Sequence, residues 1–137
     1  MREMRAAVRV ATVLALTAGA GGGCGSADRD QVRAKVEQFA QAVRLRDYKS
    51  ICANVLAPDL LSRLAVAGVP CEQALAVGLG RTRDPLLGVG RVTVSGDHAS
   101  VLTLSGARGQ QSAIESVELV RTHDGWRIAA LGSPARR

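Results

Sequence analysis

The sequence has very few aromatic residues and almost no lysine. Phe39, Tyr48 and Trp126 are the only aromatic residues among 137, so valine, leucine, isoleucine and alanine must build nearly all of the interior. The basic residues are mostly arginines and are scattered along the chain, apart from the terminal Arg136-Arg137 pair. Nucleic-acid-binding proteins usually show a basic stripe or stacking aromatic residues. Because neither is present, we expect no nucleic-acid partner.

The sequence also lacks an apolar run long enough to stay in a membrane as a helix. The N-terminal apolar segment 10–20 would rise only about 16 Å as a helix, whereas the hydrocarbon core of a bilayer is about 30 Å thick. Arg2, Arg5 and Arg9 lie at its N-terminal side. A basic end followed by a short apolar run is typical of an export signal. We therefore predict that residues 1–23 are a signal peptide.

Two cleavage positions are compatible with this leader. Ala18-Gly19-Ala20 fits the small-x-small rule of ordinary signal peptidase, which would release a secreted protein. Cleavage before Cys24 would instead leave a cysteine that carries a diacylglyceryl group, and the small Gly23 suits that route. We predict the second route, in which Cys24 is the lipidation site and the lipid anchors the protein to the outer face of the cell membrane.

Cysteine is scarce, and three cysteines in an exported protein leave one unpaired. Lipidation of Cys24 resolves the odd count and leaves Cys52 and Cys71. We predict that these two form a disulfide, which an oxidising compartment permits; two buried free thiols are the alternative. Neither has a neighbouring histidine that would activate a thiol, which argues against a reactive-cysteine enzyme.

Helical periodicity dominates the first half of the chain after the leader. Apolar residues recur at helical spacing over 32–43, which predicts an amphipathic helix that ends near Arg46. Asp47 is placed to cap a second helix, and Pro58 suits the first turn of a third. Pro70 starts a fourth short helix.

After a linker over 81–85 the apolar period changes from 3.6 to 2. This alternation and the intervening turn residues predict about four strands joined as an antiparallel meander, with tight turns at 95–98 and 123–125. Helices first and a meander after them is an α+β order. We predict N-terminal helices packed on a curved antiparallel sheet.

The sequence pattern predicts three parts in the chain after the leader. Residues 24–30 are expected to be a flexible tether, residues 31–132 a single α+β domain, and residues 133–137 a disordered tail. About 114 residues suit one domain with a single modest core.

This order of elements, with three local motifs, resembles the nuclear transport factor 2-like superfamily, whose fold is the cystatin-like α+β roll, and in particular its small exported actinobacterial lipoproteins. The motifs are the opening helix 32–40, the Arg46-Asp47 step and the closing segment 124–128. The resemblance spans about residues 28–132 and implies a conical pocket between the long helix and the sheet. In family enzymes such as ketosteroid isomerases and dehydratases, that pocket holds acid–base residues. In many other members it serves binding or association.

Few residues on the expected inner face could do chemistry. Asp47 and Tyr48 are the candidates for an acid or base, but we favour a helix cap and a rim aromatic. The residues expected to point inward from the strands are all apolar: Val92, Val94, Leu102, Leu104, Val117, Leu119, Trp126 and Ile128. From these, and from the first helix, we expect the pocket and core to include Phe39, Leu102, Leu104, Trp126 and Ile128.

The two histidines raise the question of a metal. Asp97, His98, His123 and Asp124 lie in turns that an up-and-down meander places at the same end of the sheet, where they could hold zinc. We favour the alternative that these are ordinary turn residues. The His-Glu-x-x-His, Gly-x-Ser-x-Gly and phosphate-loop motifs are missing. We therefore expect no metal and no cofactor.

The combined prediction is a non-catalytic exported lipoprotein that binds a small apolar ligand in the cone or a protein partner against the open sheet face. Many relatives dimerise through that face, so a homodimer is one such partner. The alternative is an isomerase or dehydratase that uses Asp47 or Tyr48. An Asp47 carboxylate that points into a closed cavity would favour the enzyme, and one that caps a helix in solvent would favour binding.

Overall fold

The computed structural model describes residues 24–134, so the predicted signal peptide lies outside the described residues. The helices are α1 (Cys24–Leu45), α2 (Tyr48–Ser50), α3 (Pro58–Val66) and α4 (Cys71–Leu79), with a π-helical turn at Ile51–Val55 after α2. The strands are β1 (Leu86–Ser95), β2 (His98–Gly106), β3 (Ala113–Thr122) and β4 (Gly125–Pro134). They form one antiparallel sheet in the order β1-β2-β3-β4. The predicted α+β class is confirmed.

Both ends of the domain extend beyond their predicted limits. Residues 24–30, which we expected to be a flexible tether, form the first turns of α1. A contact from the far end of the sequence supports them, because the Asp28 carboxylate pairs with Arg121 at 2.7 Å. At the other end, the last two residues of β4 belong to the sheet rather than to a tail, since they pair with Ser116 and Glu115.

The core lies between α1 and the inner face of the sheet. Val32 and Val36 of α1 are fully buried, and the turn after α2 adds Ile51 and Val55. The sheet contributes buried aliphatic residues and one aromatic: Ala99, Val101, Val117, Leu119, Trp126 and Ile128. Each fully buried valine, leucine or isoleucine stabilises the fold by about 1.5–3 kcal/mol, so aliphatic packing replaces the missing aromatic residues.

The face of β2 that points into the core is the opposite of the predicted one. Val101 and Thr103 are buried, whereas Leu102 and Leu104 face outward and Leu104 is 47% exposed. The prediction that these two leucines line the pocket was therefore wrong. The cross-strand partner of Val101 is the buried Val117, and a shift of one residue in register exchanges the two faces of a strand.

A β-bulge bends the first strand around the long helix. The pairing of β1 with β2 shifts between Val89 and Val92, and an extra residue of this kind increases local bend and twist. Arg33 of α1 reaches the bulge and donates hydrogen bonds to the carbonyl oxygens of Val89 (3.2 Å) and Gly90 (3.0 Å). This contact ties the middle of α1 to the edge of the sheet.

The helical layer contains the predicted disulfide. Cys52, in the π-helical turn, is bonded to Cys71, the first residue of α4, and the two Cα atoms are 6.1 Å apart. Within residues 24–134, no single helix is long and apolar enough to cross a membrane. Only α3 and α4 taken together reach that length and hydropathy, and they meet at a bend of 89°.

Candidate functional site

A cavity of about 380 Å³ lies between the C-terminal half of α1 and the sheet. Phe39, Ala40 and Val43 of α1 form one wall, and Leu131 and Gly132 of β4 contribute to another. The remaining walls are the segment from α4 into β1 and the connection between β2 and β3. A volume of this size falls in the usual range of about 300–1,000 Å³ for sites that hold small molecules.

The cavity wall contains one small polar cluster. Thr103, only 2% exposed, donates a hydrogen bond to the backbone carbonyl of Glu115 at 3.3 Å. Ser105 donates to Oε2 of the Glu115 carboxylate at 2.9 Å. Among the described residues that line the cavity, Glu115 is the only one with an ionisable side chain. Its second oxygen, Oε1, lies beside Gly132, where a Cβ atom would come within 3.6 Å.

The sequence analysis missed this cluster, although a signal for it existed. Glu115 shares its strand face with Val117 and Leu119, which we did place inward, because alternate residues of a strand lie on the same side. Thr103 and Ser105 lie on the same face of β2 as the buried Val101. Because Leu102 and Leu104 were predicted to point inward, Thr103 and Ser105 were expected on the outer face, so alternation along the strands pointed only to Glu115.

Asp47 and Tyr48 lie away from the cavity wall. The exposed Asp47 is the N-cap of α2, and its Oδ1 accepts a hydrogen bond from the backbone nitrogen of Ser50 at 3.0 Å. Tyr48 is half-buried and packs against the main core. This is the arrangement that we had stated would favour binding over catalysis.

The histidine and aspartate turns lie at the same end of the sheet. Asp97 contacts Arg121 at 3.5 Å, and His123 contacts its neighbour Asp124 at 3.3 Å. Between residues 24 and 134, no three histidine, cysteine, aspartate or glutamate side chains are grouped so that they could hold a metal ion. His98 is exposed at the start of β2.

Arg121 lies over Trp126 at the end of the sheet that contains the β3–β4 turn, away from the residues that line the cavity. Its guanidinium carbon lies 4.5 Å from the centre of the Trp126 ring, a distance at which a cation is attracted to the aromatic face. The hydrogen bond to Asp28, which opposes the smaller effect of burial, raises the pKa of Arg121. The indole nitrogen of Trp126 is buried and has no hydrogen-bond partner among the described residues.

A second depression of about 540 Å³ adjoins the cavity. The two share a mainly apolar wall formed by Val43, Leu79, Thr82, Pro85 and Leu86. We call the second depression the arginine mouth, because its remaining lining residues are charged: Arg44, Arg46, Arg83, Asp84 and Arg108. The cavity therefore leads from an aliphatic interior to a basic surface.

The sequence matches no protein-family model and no curated protein. The fold is similar to that of a crystal structure from Streptomyces avermitilis, described as a "putative dehydratase from the NTF2-like family". The two share 20% sequence identity with a TM-score of 0.55, over 82% of this chain and 99% of the other. At this identity the similarity concerns the fold and not the activity. The chain therefore has the NTF2-like fold, as its order of elements predicted.

Proposed function

We propose that this protein is an exported, lipid-anchored binding protein that holds a small, mainly apolar molecule in the cavity between α1 and the sheet. The observation that carries the proposal is the cavity itself, whose wall is largely aliphatic and, among residues 24–134, contains a single carboxylate, that of Glu115. Cavities of this kind take an apolar ligand and orient it through a few polar contacts.

Binding explains this wall better than catalysis does. A dehydratase, as the similar structure is described, needs a base that removes a proton and an acid that protonates the departing hydroxyl group. Among the described lining residues Glu115 is the only acid or base, and Ser105 already donates a hydrogen bond to its carboxylate. Asp47 and Tyr48 do not line the cavity, so they cannot supply the missing partner.

The leader and the cysteines support export and anchoring. The Cys52–Cys71 disulfide is of the kind that persists outside the cytoplasm. Helix α1 begins at Cys24, and Val43 at the cavity is nineteen residues later, which corresponds to about 28 Å along a helix. A lipid on Cys24 would thus hold the N-terminal end of α1 at the bilayer and leave the cavity on the far side. The ligand would then enter from the aqueous phase.

A bulky substitution in the cavity wall tests the binding site. Leu131 lines the cavity and is 39% exposed, so Leu131→Trp can direct its ring into the cavity without overfilling the core. Fluorescence titration with the neutral apolar probe N-phenyl-1-naphthylamine should show an affinity at least about tenfold lower than that of the parent, because buried contact area is lost.

The matched control for this experiment is Val77→Trp. Val77 is 76% exposed on α4 and lines neither the cavity nor the arginine mouth, so the same new side chain there should leave the affinity unchanged. Equal affinities for the parent and Leu131→Trp, or failure of the parent to bind the probe at all, would reject the cavity as the binding site.

A further inference from the structure

The arginine mouth has an excess of positive charge. Four arginines and one aspartate line it. The aspartate, Asp84, is 2.5 Å from Arg108, and both side chains are well exposed. Within residues 24–134, Arg44, Arg46 and Arg83 form no ion pair with a carboxylate. The side chains of Arg44 and Arg46 donate to neutral oxygens instead. Three guanidinium groups therefore face this depression without a compensating charge.

Backbone hydrogen bonds hold part of this charge in place. Arg46 follows the last turn of α1 with a φ of 55°, and its amide donates to the carbonyl of Val43 at 3.1 Å. Glycine is the usual residue at such a position because it adopts positive φ without strain. The Arg46 side chain reaches the linker and donates to the carbonyls of Gly80 (3.3 Å) and Thr82 (3.5 Å). The guanidinium is thus positioned at the boundary between cavity and mouth.

A second unusual backbone conformation occurs on the opposite side of the mouth. Asp84, also not a glycine, has a φ of 46°. The amide of Arg108 donates to the carbonyl of Arg83 at 2.9 Å, so the linker before β1 is fixed to the connection between β2 and β3. The linker before β1 and the β2–β3 connection, which are distant in sequence, are therefore held together at Arg83 and Arg108.

We infer that the molecule held in the cavity is an amphipathic acid, whose apolar part lies in the cavity and whose carboxylate or phosphate group binds in the arginine mouth. This inference rests on the proposed function and adds the chemical class of the ligand. Guanidinium groups bind carboxylate and phosphate oxygens through paired, charge-assisted hydrogen bonds. Glu115 lines the cavity but not the mouth, so its negative charge would repel an acid inside and orient the ligand with its acid outward.

The test compares three probes with the same alkyl chain: decanoate, decanol and decylamine. Binding is measured by calorimetry with the exported full-length chain carrying Cys24→Ser, so that no attached lipid enters the cavity. Decanoate should bind about tenfold more tightly than decanol, since hydrogen bonds between a guanidinium and a carboxylate are stronger than those to a neutral hydroxyl group. Decylamine should bind no more tightly than decanol. Added salt should reduce the difference in affinity between decanoate and decanol.

Two double variants test whether the arginine mouth causes the preference for decanoate over decanol. Arg44→Gln with Arg83→Gln should abolish the preference for decanoate and leave the affinity for decanol unchanged. Arg29→Gln with Arg91→Gln removes the same charge from two exposed arginines that line neither depression. This control should retain the preference, which separates a local site from a general effect of net charge.

The outcomes distinguish the proposed binding of an apolar molecule from the inferred binding of its acid group. If decanol binds as tightly as decanoate at low salt, the acid-binding inference is wrong while the apolar cavity stands. If no alkyl probe binds, the proposed function itself fails. Vesicles of phosphatidylglycerol identify the source of the acid. Sedimentation with these vesicles without any binding of free decanoate would overturn the inference, because the arginines would then recognise a membrane surface rather than a ligand in the cavity.

Discussion

Asp47, a candidate acid in the sequence, serves in the structure as the N-cap of α2. Its carboxylate accepts the Ser50 backbone hydrogen bond (3.0 Å) while it remains exposed. Asp47→Ala should lower the free energy of unfolding by about 1 kcal/mol, because that N–H loses its acceptor. Asp47→Asn is the matched control, since asparagine also caps helices well. Urea denaturation of the three proteins measures the difference.

The same variants separate the cap from an acid–base role. Binding of N-phenyl-1-naphthylamine should be equal in Asp47→Ala, Asp47→Asn and the parent, because the residue does not line the cavity. If Asp47→Asn kept its stability but lost binding, the carboxylate would have a function that the structure does not place there.

The inner-face residues of β3 show why single side chains were harder to assign than elements. Val117 and Leu119 could be placed inward from their apolar character, and Glu115 could have been placed with them by alternation alone. The short distance between Glu115 and Ser105 could not be predicted from the sequence, because the two residues lie on different strands. That proximity depends on the pairing of β2 with β3.

At the scale of elements, boundaries set by local chemistry could be predicted. Asp47, Pro58 and Pro70 occur at or beside the starts of α2, α3 and α4, and the predicted tight turns join the strands as expected. Features that depend on distant residues could not be predicted in this way. The early start of α1 is supported by the Asp28–Arg121 pair, and the inward face of β2 follows from register.

The disulfide is the main covalent constraint on the helical layer. Removing it in Cys52→Ser with Cys71→Ser should lower the free energy of unfolding by about 3 kcal/mol, because the unfolded chain regains the freedom of a loop with a sequence separation of 19. Denaturation in urea, with and without a reducing agent, measures this. Reduction should destabilise the parent to the level of the double variant and leave the double variant unchanged.

Cys24→Ser is the matched control for that experiment. It removes a thiol outside the disulfide and should unfold at the same urea concentration as the parent when both are measured in the same detergent. A double variant that is as stable as Cys24→Ser would show that the crosslink contributes nothing to stability.

For the whole molecule, the proposed lipid-attachment residue and the proposed binding site lie at opposite ends of one helix. Cys24 begins α1, and the cavity and arginine mouth meet its C-terminal half. Arg121 lies over Trp126 at the other end of the sheet, away from both depressions. The order of elements was sufficient to predict the fold, which is confirmed; the compartment inferred from the leader stays a prediction. The two depressions could not be predicted, because they form only where α1, the linker and the β2–β3 connection converge.

The anchoring prediction concerns the whole molecule and can be tested in cells. A diacylglyceryl group carries two acyl chains, which hold a protein stably at a bilayer where a single chain would not. The protein should therefore incorporate labelled palmitate and partition into the detergent phase of Triton X-114, whereas Cys24→Ser should do neither. Ala20→Leu is the control, because it blocks small-x-small cleavage but leaves the position before Cys24 intact. If Ala20→Leu prevented processing and the parent were released to the medium without label, ordinary secretion would replace the lipid anchor, and the cavity would have no fixed distance from the membrane.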